Sequence, residues 1–383
     1  LDRRKADRPV STTPVIDVII AVHDARRPIA RAVSSALRAA ESPTGGAPVA
    51  VRVSVIAHGL DPQLIRERLA DAPGSLDTGT LDTDARVRIL PFTDGIPSPA
   101  GPFNAGLDAA DAEWVSVMGS DDELEPGALH AWLTAGRAAA AVAVIPPLRH
   151  AQGRAVPTPP VRPRRRIRRD PVRDRLAYRT APLGLLRRDA CTALRMTVGL
   201  PSGEDLEFGL SLWFAGAPIT YAVGAPAYLI HSDAVERVTL TARPIADDLV
   251  PLAALRASGL FAARTPAERR AIVIKLIRIH IFGAIANRPD ASTWTAADHA
   301  ALRAETAALL ALAPTADRVF SLVDRTLLDT IASASATPAD LITLANKRRA
   351  RVHPANLITR DLRGLFDREG PLRFAAASVL ATR

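Results

Sequence analysis

Short apolar segments rich in β-branched residues alternate with segments of helical periodicity through the N-terminal half of the chain. The predicted strands are 15–22, 51–57, 87–90 and 114–118, and the predicted helices between them are 28–40, 62–70 and 103–110. Regular alternation of strands and helices is typical of a parallel sheet with helices on both faces. The sequence therefore predicts an α/β fold whose central sheet is Rossmann-like and mostly parallel.

Three acidic residues follow directly on the fourth predicted strand. The apolar run 114–118 ends at Gly119, and Asp121, Asp122 and Glu123 come next. Adjacent carboxylates repel each other unless a cation lies between them, and ligands bind at this end of strands in open α/β sheets. The pattern indicates a divalent metal and a phosphate-bearing substrate. The alternative is that these carboxylates favour the N-terminus of a helix opening at Pro126.

Composition restricts the class of protein. Of the 383 residues 48% are hydrophobic, which is enough for a substantial core, whereas 4% aromatic residues argue against an all-β carbohydrate-binding module. The net charge of +9 favours an anionic partner. Because no helix-turn-helix, zinc or aromatic-basic signature is present, we expect no nucleic-acid partner.

The single cysteine, Cys191, excludes an internal disulfide and a cysteine-based zinc site, and it fits a reducing compartment. No run reaches the roughly 18 apolar residues of a membrane span, and no signal-peptide pattern opens the chain. We expect a cytoplasmic protein, with a peripheral position at the inner face of the membrane as an option.

The second half changes character twice. Six arginines between Arg162 and Arg169, among prolines, predict a loop that either holds a polyanionic acceptor or is simply solvated. From about residue 245 the strand pattern stops, and helices are predicted at 266–284, 296–312, 315–333 and 338–350. The expected organisation is a flexible tail over 1–14, a catalytic domain over 15–245 and an α-helical C-terminal domain over 246–383.

Three motifs in this order resemble family-2-type glycosyltransferases of the GT-A fold. The run Val18-Ile-Ile-Ala-Val-His-Asp24 resembles the opening of that family, and Phe103-Asn-Ala-Gly-Leu-Asp-Ala-Ala110 before the acidic turn resembles its Asn-x-Gly-Leu element and Asp-x-Asp-type motif. Gly203-Glu-Asp-Leu-Glu-Phe208 resembles the Glu-Asp motif that carries the catalytic base. The resemblance covers roughly residues 14–240.

The resemblance implies roles for particular residues. Asp122 would bind Mn²⁺ or Mg²⁺, Asp121 would touch the ribose or the metal, and His231 would reach the metal or the diphosphate. Asp205 would be the base that deprotonates the acceptor, with Glu204 positioning it. The implied donor-pocket residues are Asp24, His58 and Asn104. These residues also have structural alternatives. Ser202 and Asp205 have the spacing of a capping box, and His231 and His58 fit structural or loop positions. Asp24 and Asn104 fit local turn capping and the start of a helix.

Two positions depart from the family pattern. Where the family usually has Asp-Asp-Gly-Ser after the second strand, this chain has Ala57-His58-Gly59-Leu60, so uracil recognition does not follow. Phe103 stands where the family often has an arginine, which removes a contact to phosphate.

The resemblance implies an inverting, hexosyltransferase-type enzyme that moves a sugar from a nucleotide-diphosphate sugar to a hydroxyl group. The expected acceptor is a cell-envelope glycan, a polyol-phosphate polymer or a lipid-linked glycan. The rival hypothesis is a degenerate, non-catalytic GT-A domain that binds an anionic polymer or a nucleotide. The helix at 266–284 carries the basic residues Arg270, Lys275 and Arg278 beside apolar ones. It is predicted either to pack against its own domain or to make peripheral contact with an anionic membrane. The sequence does not indicate the oligomeric state.

Overall fold

A computed structural model describes residues 13–71, 86–156, 170–233, 243–349 and 353–381. The arginine-rich run Arg162–Arg169 and most of the predicted tail 1–14 lie outside these ranges. The predictions made for those two segments therefore stay predictions.

The main sheet has seven strands in the order β10-β6-β9-β4-β1-β2-β3. Its strands are β1 Ile16–Val22, β2 Val51–His58, β3 Val87–Phe92, β4 Trp114–Gly119, β6 Ala143–Ile145, β9 Leu185–Arg187 and β10 Ile219–Tyr221. β1 pairs in parallel with β2 and β4, and β2 with β3, whereas β9 is antiparallel to both of its neighbours. The predicted mostly parallel sheet is confirmed.

The helices of this region lie between the strands. They are α1 Ile29–Arg38, α2 Pro62–Ala70, α3 Ala100–Ala109, α4 Ala128–Ala138, α5 Arg188–Cys191 and α6 Leu206–Trp213, with a 3₁₀ helix at Leu176–Tyr178. α2 begins as its sequence dictates, since Asp61 caps the Gln63 amide and Pro62 occupies the first turn. Alternate residues of β1 point to opposite faces, so Ile19 joins one apolar core and Val18 and Ile20 join the other.

A smaller sheet forms beside the acidic turn and was not predicted. Its strands, in the order β5-β11-β7-β8, are Glu123–Leu124, Tyr228–Ile230, Leu148–His150 and Ala155–Val156. Because the chain pairs with β11 immediately after Asp122, no helix starts there; α4 begins at Ala128, after Gly127 at φ +74°. The alternative in which the carboxylates serve a helix N-terminus at Pro126 is therefore wrong.

The C-terminal region is helical. Its helices are α7 Ile245–Ala257, α8 Pro266–Leu276, a π-helical segment Ile277–Ile281, α9 Phe282–Ala286, α10 Ala296–Leu312, α11 Leu322–Ala332, α12 Pro338–Arg349, α13 Leu362–Leu365 and α14 Pro371–Ala381. Short 3₁₀ helices lie at Ala291–Thr293, Ala316–Val319 and Pro354–Asn356. α8 starts with the capping box that the sequence predicts, formed by Thr265 and Glu268.

One apolar cluster runs from the sheet into these helices. It contains Val117 of β4, Leu206 and Phe208 of α6, and Ile272 and Leu276 of α8. Two basic residues of the predicted 266–284 helix also lie inside, since Lys275 is 1% and Arg278 8% exposed, whereas the Arg270 side chain is 25% exposed and pairs with Asp367. The helix thus packs against its own chain, and these two cations are not presented to a membrane surface. No helix among the described residues is long and apolar enough to cross a membrane.

Candidate active site

The acidic turn folds back over the end of β4. The Asp122 amide donates to the Gly119 carbonyl at 3.2 Å. A Cβ at Gly119 would lie 2.7 Å from Asp122 Oδ2 and 3.1 Å from Asp121 Oδ1. A side chain at residue 119 would therefore displace the Asp122 carboxylate from its position over the strand end.

Asp122 is held from two sides. The Tyr228 hydroxyl donates to Asp122 Oδ2 at 2.6 Å, and the His231 amide donates to Oδ1 at 3.1 Å. The same hydroxyl accepts the Gly119 amide at 3.0 Å. Burial raises the pKa of Asp122, and the Tyr228 and His231 hydrogen bonds oppose that rise. A desolvated carboxylate in this state is favourably placed for a cation.

Two arginines of α1 and its preceding turn meet Asp121. Arg27 Nη1 lies 3.0 Å from Asp121 Oδ1, and both side chains are 15% exposed. Arg31 donates to the Asp121 carbonyl and forms an ion pair of 2.7 Å with Asp233. The negative charge of Asp121 is therefore neutralised by an arginine, whereas the carboxylate of Asp122 accepts hydrogen bonds from neutral donors.

His231 follows β11 and faces the same turn. Its Nε2 lies 3.2 Å from Glu123 Oε2, which orients the ring, and its amide holds Asp122. The structure thus brings the predicted residues Asp121, Asp122 and His231 together, although β4 and β11 are far apart in the sequence.

Two of the predicted donor-pocket residues, Asp24 and His58, lie at the ends of β1 and β2. His58 Nε2 lies 2.8 Å from Asp94 Oδ1 just beyond β3. Asp24 accepts from the backbone and guanidinium of Arg26, whose hydrogen bonds lower the Asp24 pKa to about 2. Partial burial and then the Arg27 charge lower the pKa of His23, on which Asp24, His58 and Asp121 also act. These side chains therefore share one edge of the sheet.

Helix α3 uses its two motif residues differently. The Asn104 amide group donates to the Met196 carbonyl at 2.9 Å and accepts the Met196 amide at 2.8 Å, so it binds the chain segment before α6. Phe103 packs against the apolar core. Asn104 lies inside α3 and makes a tertiary contact, so it neither caps a local turn nor starts the helix; its donor-binding role stays a prediction.

The second acidic element forms a turn before α6. Gly203 has φ +70°, and a Cβ there would lie 3.2 Å from Cβ of Pro251 in α7. Asp205 occupies the position before the first residue of α6, but its side chain makes no capping hydrogen bond. The capping alternative for Asp205 is therefore not what this structure contains.

Both carboxylates of this turn are partly desolvated. Burial, followed by the neighbouring Asp205 charge, raises the pKa of Glu204. Burial also raises the pKa of Asp205, and the charge of Lys275 from α8 opposes that rise. Lys275 itself donates to His280 Nε2 at 3.0 Å, and burial lowers its pKa to about 8. A carboxylate with a raised pKa is suited to accept a proton.

The described residues contain no group of three or more His, Cys, Asp or Glu side chains placed to hold a metal. This does not conflict with a metal bound together with substrate, because Mg²⁺ is usually held by one or two carboxylates plus phosphate oxygens and water. Asp122 fits such an ion, since each of its oxygens has a second lone pair besides the hydrogen bond it accepts. His231 stands next to it.

Tyr228, Arg27, Asp94 and Lys275 were missed by sequence reasoning. Asp94 had a local signal, since it follows the third strand just as the acidic turn follows the fourth. Arg27 lies next to the predicted Asp24, but nothing in the sequence indicates its contact with Asp121. Tyr228 and Lys275 are brought to the site by the fold alone.

Comparison with solved structures identifies the fold. The chain resembles S. aureus TarS 1–349 with a TM-score of 0.64 and 14% identity, covering 87% of this chain and 91% of that one. TarS 1–349 in complex with UDP-GlcNAc gives 0.66 and 15% identity, over 87% and 91% of the two chains. The expected GT-A architecture is confirmed by this likeness. No protein-family model matches the chain, and no curated protein matches it by sequence.

Proposed function

We propose that the chain is an inverting, metal-dependent glycosyltransferase that moves a sugar from a nucleoside-diphosphate sugar to a hydroxyl of a cell-envelope glycan, polyol-phosphate polymer or lipid-linked acceptor. One observation carries the proposal. A fold like that of TarS, which was solved with UDP-GlcNAc and with UDP, places an acidic turn at the end of β4 and a desolvated Glu204–Asp205 pair before α6.

In this mechanism Asp205 accepts the proton of the acceptor hydroxyl as that oxygen attacks the anomeric carbon. The bond from that carbon to the diphosphate oxygen breaks, and attack opposite the leaving group inverts the centre. Mn²⁺ or Mg²⁺ bound at Asp122 would neutralise charge on the leaving diphosphate. Tyr228 and the His231 amide fix Asp122, and Glu204 lies beside the base.

The nucleotide base is left open by this proposal. His58 and Asp94 stand at the ends of β2 and β3 where the family's base-reading residue would be. This pair presents different hydrogen-bonding groups from those of a single aspartate. Binding measurements with a panel of nucleotides would therefore identify the base of the donor.

The test is a thermal-shift and turnover screen of nucleotide sugars with and without Mn²⁺, because a ligand that binds the folded state raises its stability. We expect metal-dependent stabilisation and release of nucleoside diphosphate. Both Asp122→Ala and Asp205→Asn should lose turnover. If either variant turns over the nucleotide sugar as fast as the unaltered protein does, the assignment of the site is wrong.

A non-catalytic binder is the second candidate. The Arg27–Asp121 ion pair and the core-packed Phe103 favour it, because both leave fewer groups for a donor diphosphate. Calorimetry with Mn²⁺ and nucleoside diphosphates separates the two candidates: binding without any turnover across donors and acceptors would favour the binder.

A further inference from the structure

The C-terminal segment 353–381 concentrates the exposed apolar side chains of the described chain. Eleven large apolar side chains are exposed among the described residues, and six of them lie here: Ile358, Leu362, Phe366, Leu372, Val379 and Leu380. Phe366 and Leu362 are 77% and 69% exposed, which are the highest values of the eleven. Single exposed apolar residues are ordinary, whereas a cluster of them on one segment indicates an interaction surface.

Helix α14 is apolar on the side that faces away from the rest of the protein. Its inner side carries Phe374, whose ring centroid lies 5.3 Å from that of Tyr178 and 4.6 Å from the guanidinium carbon of Arg278. The exposed apolar residues of this helix are Leu372, Ala375, Ala376, Val379 and Leu380. Their spacing of three and four residues places them on one side of the helix, where a surface helix usually carries polar residues.

Buried ion pairs hold α14 with this side outward. Glu369 lies just before α14 and is buried; its Oε1 is 2.8 Å from Arg175 Nε, and its Oε2 is 2.8 Å from Arg278 Nη1. The guanidinium groups of both arginines also lie over the Phe374 ring. Rotating α14 to bury its apolar side would separate these groups and leave charges unpaired in the interior, which is costly. The exposed apolar side is therefore a stable feature of the fold.

The exposed apolar side chains of α13 and α14 form one surface. Nη1 of Arg373, in the first turn of α14, donates to the Phe366 carbonyl at 3.0 Å, so Phe366 lies beside the start of α14. Leu362 is four residues before Phe366 and shares its side of the α13 turn. We call the surface made by Leu362, Phe366, Leu372, Val379 and Leu380 the C-terminal face.

The exposed charges on this segment are all positive. Among the described side chains of residues 353–381, the exposed charged ones are Arg360, Arg363 and Arg373. The acidic ones are engaged within the chain: Asp361 accepts the Arg363 amide, Asp367 pairs with Arg270, and Glu369 is buried with Arg175 and Arg278. Arg360 lies 2.7 Å from Asp329. Arg363 and Arg373 border the C-terminal face, since they adjoin Leu362 and Leu372 in the sequence.

An apolar face bordered by arginines matches an anionic lipid surface. Such a membrane presents phosphate groups above an apolar layer, so it can take up leucine and phenylalanine side chains while its phosphates bind arginine. A second copy of this chain is a poorer match. An isologous contact brings the same surface of both copies together, and it would set arginine against arginine.

We propose that the C-terminal face docks the protein on the surface of a membrane that contains anionic lipids. Leu362, Phe366 and Leu372 enter the boundary between headgroups and acyl chains, and Arg363 and Arg373 bind lipid phosphates. The peripheral contact is thus made by α13 and α14 and not by the helix at 266–284. The inference goes beyond the proposed function and does not depend on it, because docking requires neither donor nor base.

The test is co-sedimentation of the full chain with vesicles of phosphatidylcholine alone and with vesicles of equal parts phosphatidylcholine and phosphatidylglycerol. We expect binding only to the anionic vesicles, weakening as added salt screens the charges. Replacing Leu362 and Phe366 together by serine should lower partitioning on the order of tenfold per residue. Replacing Arg363 and Arg373 together by glutamine should lower it about 30-fold, because each arginine near an anionic surface contributes about fivefold.

A matched control removes the same chemistry from another surface. Val250→Ser in α7, which is 41% exposed, and the exposed Arg303→Gln in α10 should together leave vesicle binding unchanged. Because the replaced side chains are exposed, melting temperatures should stay close to that of the unaltered protein. If the Leu362–Phe366 variant melts early, Val379→Ser with Leu380→Ser makes the same test on α14.

Loss of binding in both the apolar and the arginine variants, with the control unaffected, supports the proposal. It is overturned if the unaltered protein ignores anionic vesicles, binds neutral ones equally well, or keeps its binding in either variant, and equally if the control loses binding to the same extent. Analytical ultracentrifugation examines the second copy. A dimer that dissociates when Leu362 and Phe366 are replaced, in a protein that does not bind vesicles, would assign the face to self-association instead. Vesicle binding is measured without any nucleotide sugar, so its failure is separate from failure of the proposed function.

Discussion

The acidic turn after β4 and the Glu204–Asp205 turn before α6 hold their carboxylates in opposite ways. Asp121 and Asp122 are fixed by short contacts from Arg27, Tyr228 and the His231 amide. Asp205 makes no capping bond, and burial raises its pKa while the charge of Lys275 opposes that rise. Direct contacts fix the carboxylate oxygens in one geometry, as a ligand-binding site requires. A charge at longer range leaves the carboxylate oxygens able to gain and lose a proton.

The sharpest test of this contrast separates binding from turnover. Asp205→Asn should keep nucleotide-sugar affinity and lose roughly 100- to 10,000-fold in kcat, the usual contribution of a general base. Asp122→Ala should instead weaken metal-dependent donor binding. Calorimetry with Mn²⁺ and the nucleotide sugar that the screen identifies, together with initial rates, measures both. Glu204→Gln is the matched control for Asp205→Asn and should have the smaller effect on kcat. Equal loss of donor affinity in the two main variants would break the contrast.

Removal of one fixing contact should have a smaller effect. Tyr228→Phe deletes the hydroxyl that donates to Asp122 and accepts the Gly119 amide, leaving two groups unsatisfied at a position that is 1% exposed. We expect a loss of about 1–3 kcal/mol in the free energy of unfolding. Urea denaturation measures this, and donor affinity should fall with it. Unchanged values for both would mean that the acidic turn does not depend on this contact.

The strands and helices that the sequence predicted well are those decided locally. β1, β2 and β4 are buried runs of β-branched residues between clear breaks, so their periodicity identifies them. β9, with three residues, and β5, with two, are strands because of their partners and have no periodicity to recognise. The π-helical segment was likewise predicted as part of one regular helix, because its apolar pattern does not differ from that of its neighbours.

The residues of the candidate site also fall into those recognised from local sequence and those placed by the fold. Asp121, Asp122, Glu204 and Asp205 were predicted because each lies in a short motif at the end of an element. Their partners Tyr228 and Lys275 come from β11 and α8, and only folding brings them near. Motifs in the sequence and their resemblance to a family give the acidic groups, and the fold brings in the residues that hydrogen-bond to them or change their pKa.

Gly119 tests how tightly the acidic turn must close. In Gly119→Ala the new Cβ would lie 2.7 Å from Asp122 Oδ2, so the carboxylate has to move. We expect donor affinity with Mn²⁺ to fall by about tenfold, equivalent to about 1.4 kcal/mol. The control is Gly283→Ala in α9, where a Cβ meets nothing within 4 Å and binding should be unaffected. Normal donor binding in Gly119→Ala would show that the turn tolerates a wider geometry.

The smallest effect is expected from the arginine that faces the acidic turn. Arg27 neutralises Asp121 at 3.0 Å and so opposes a metal ion there. Arg27→Met should therefore raise the affinity of the nucleotide-free protein for Mn²⁺ a few-fold, within the roughly 0–1 kcal/mol typical of partly exposed ion pairs. Titration calorimetry measures it, with Arg26→Met as control, because Arg26 pairs with Asp24. If Mn²⁺ binding weakens in Arg27→Met instead, Arg27 supports the metal site by ordering Asp121, and the direct contacts of the acidic turn are part of its ligand geometry.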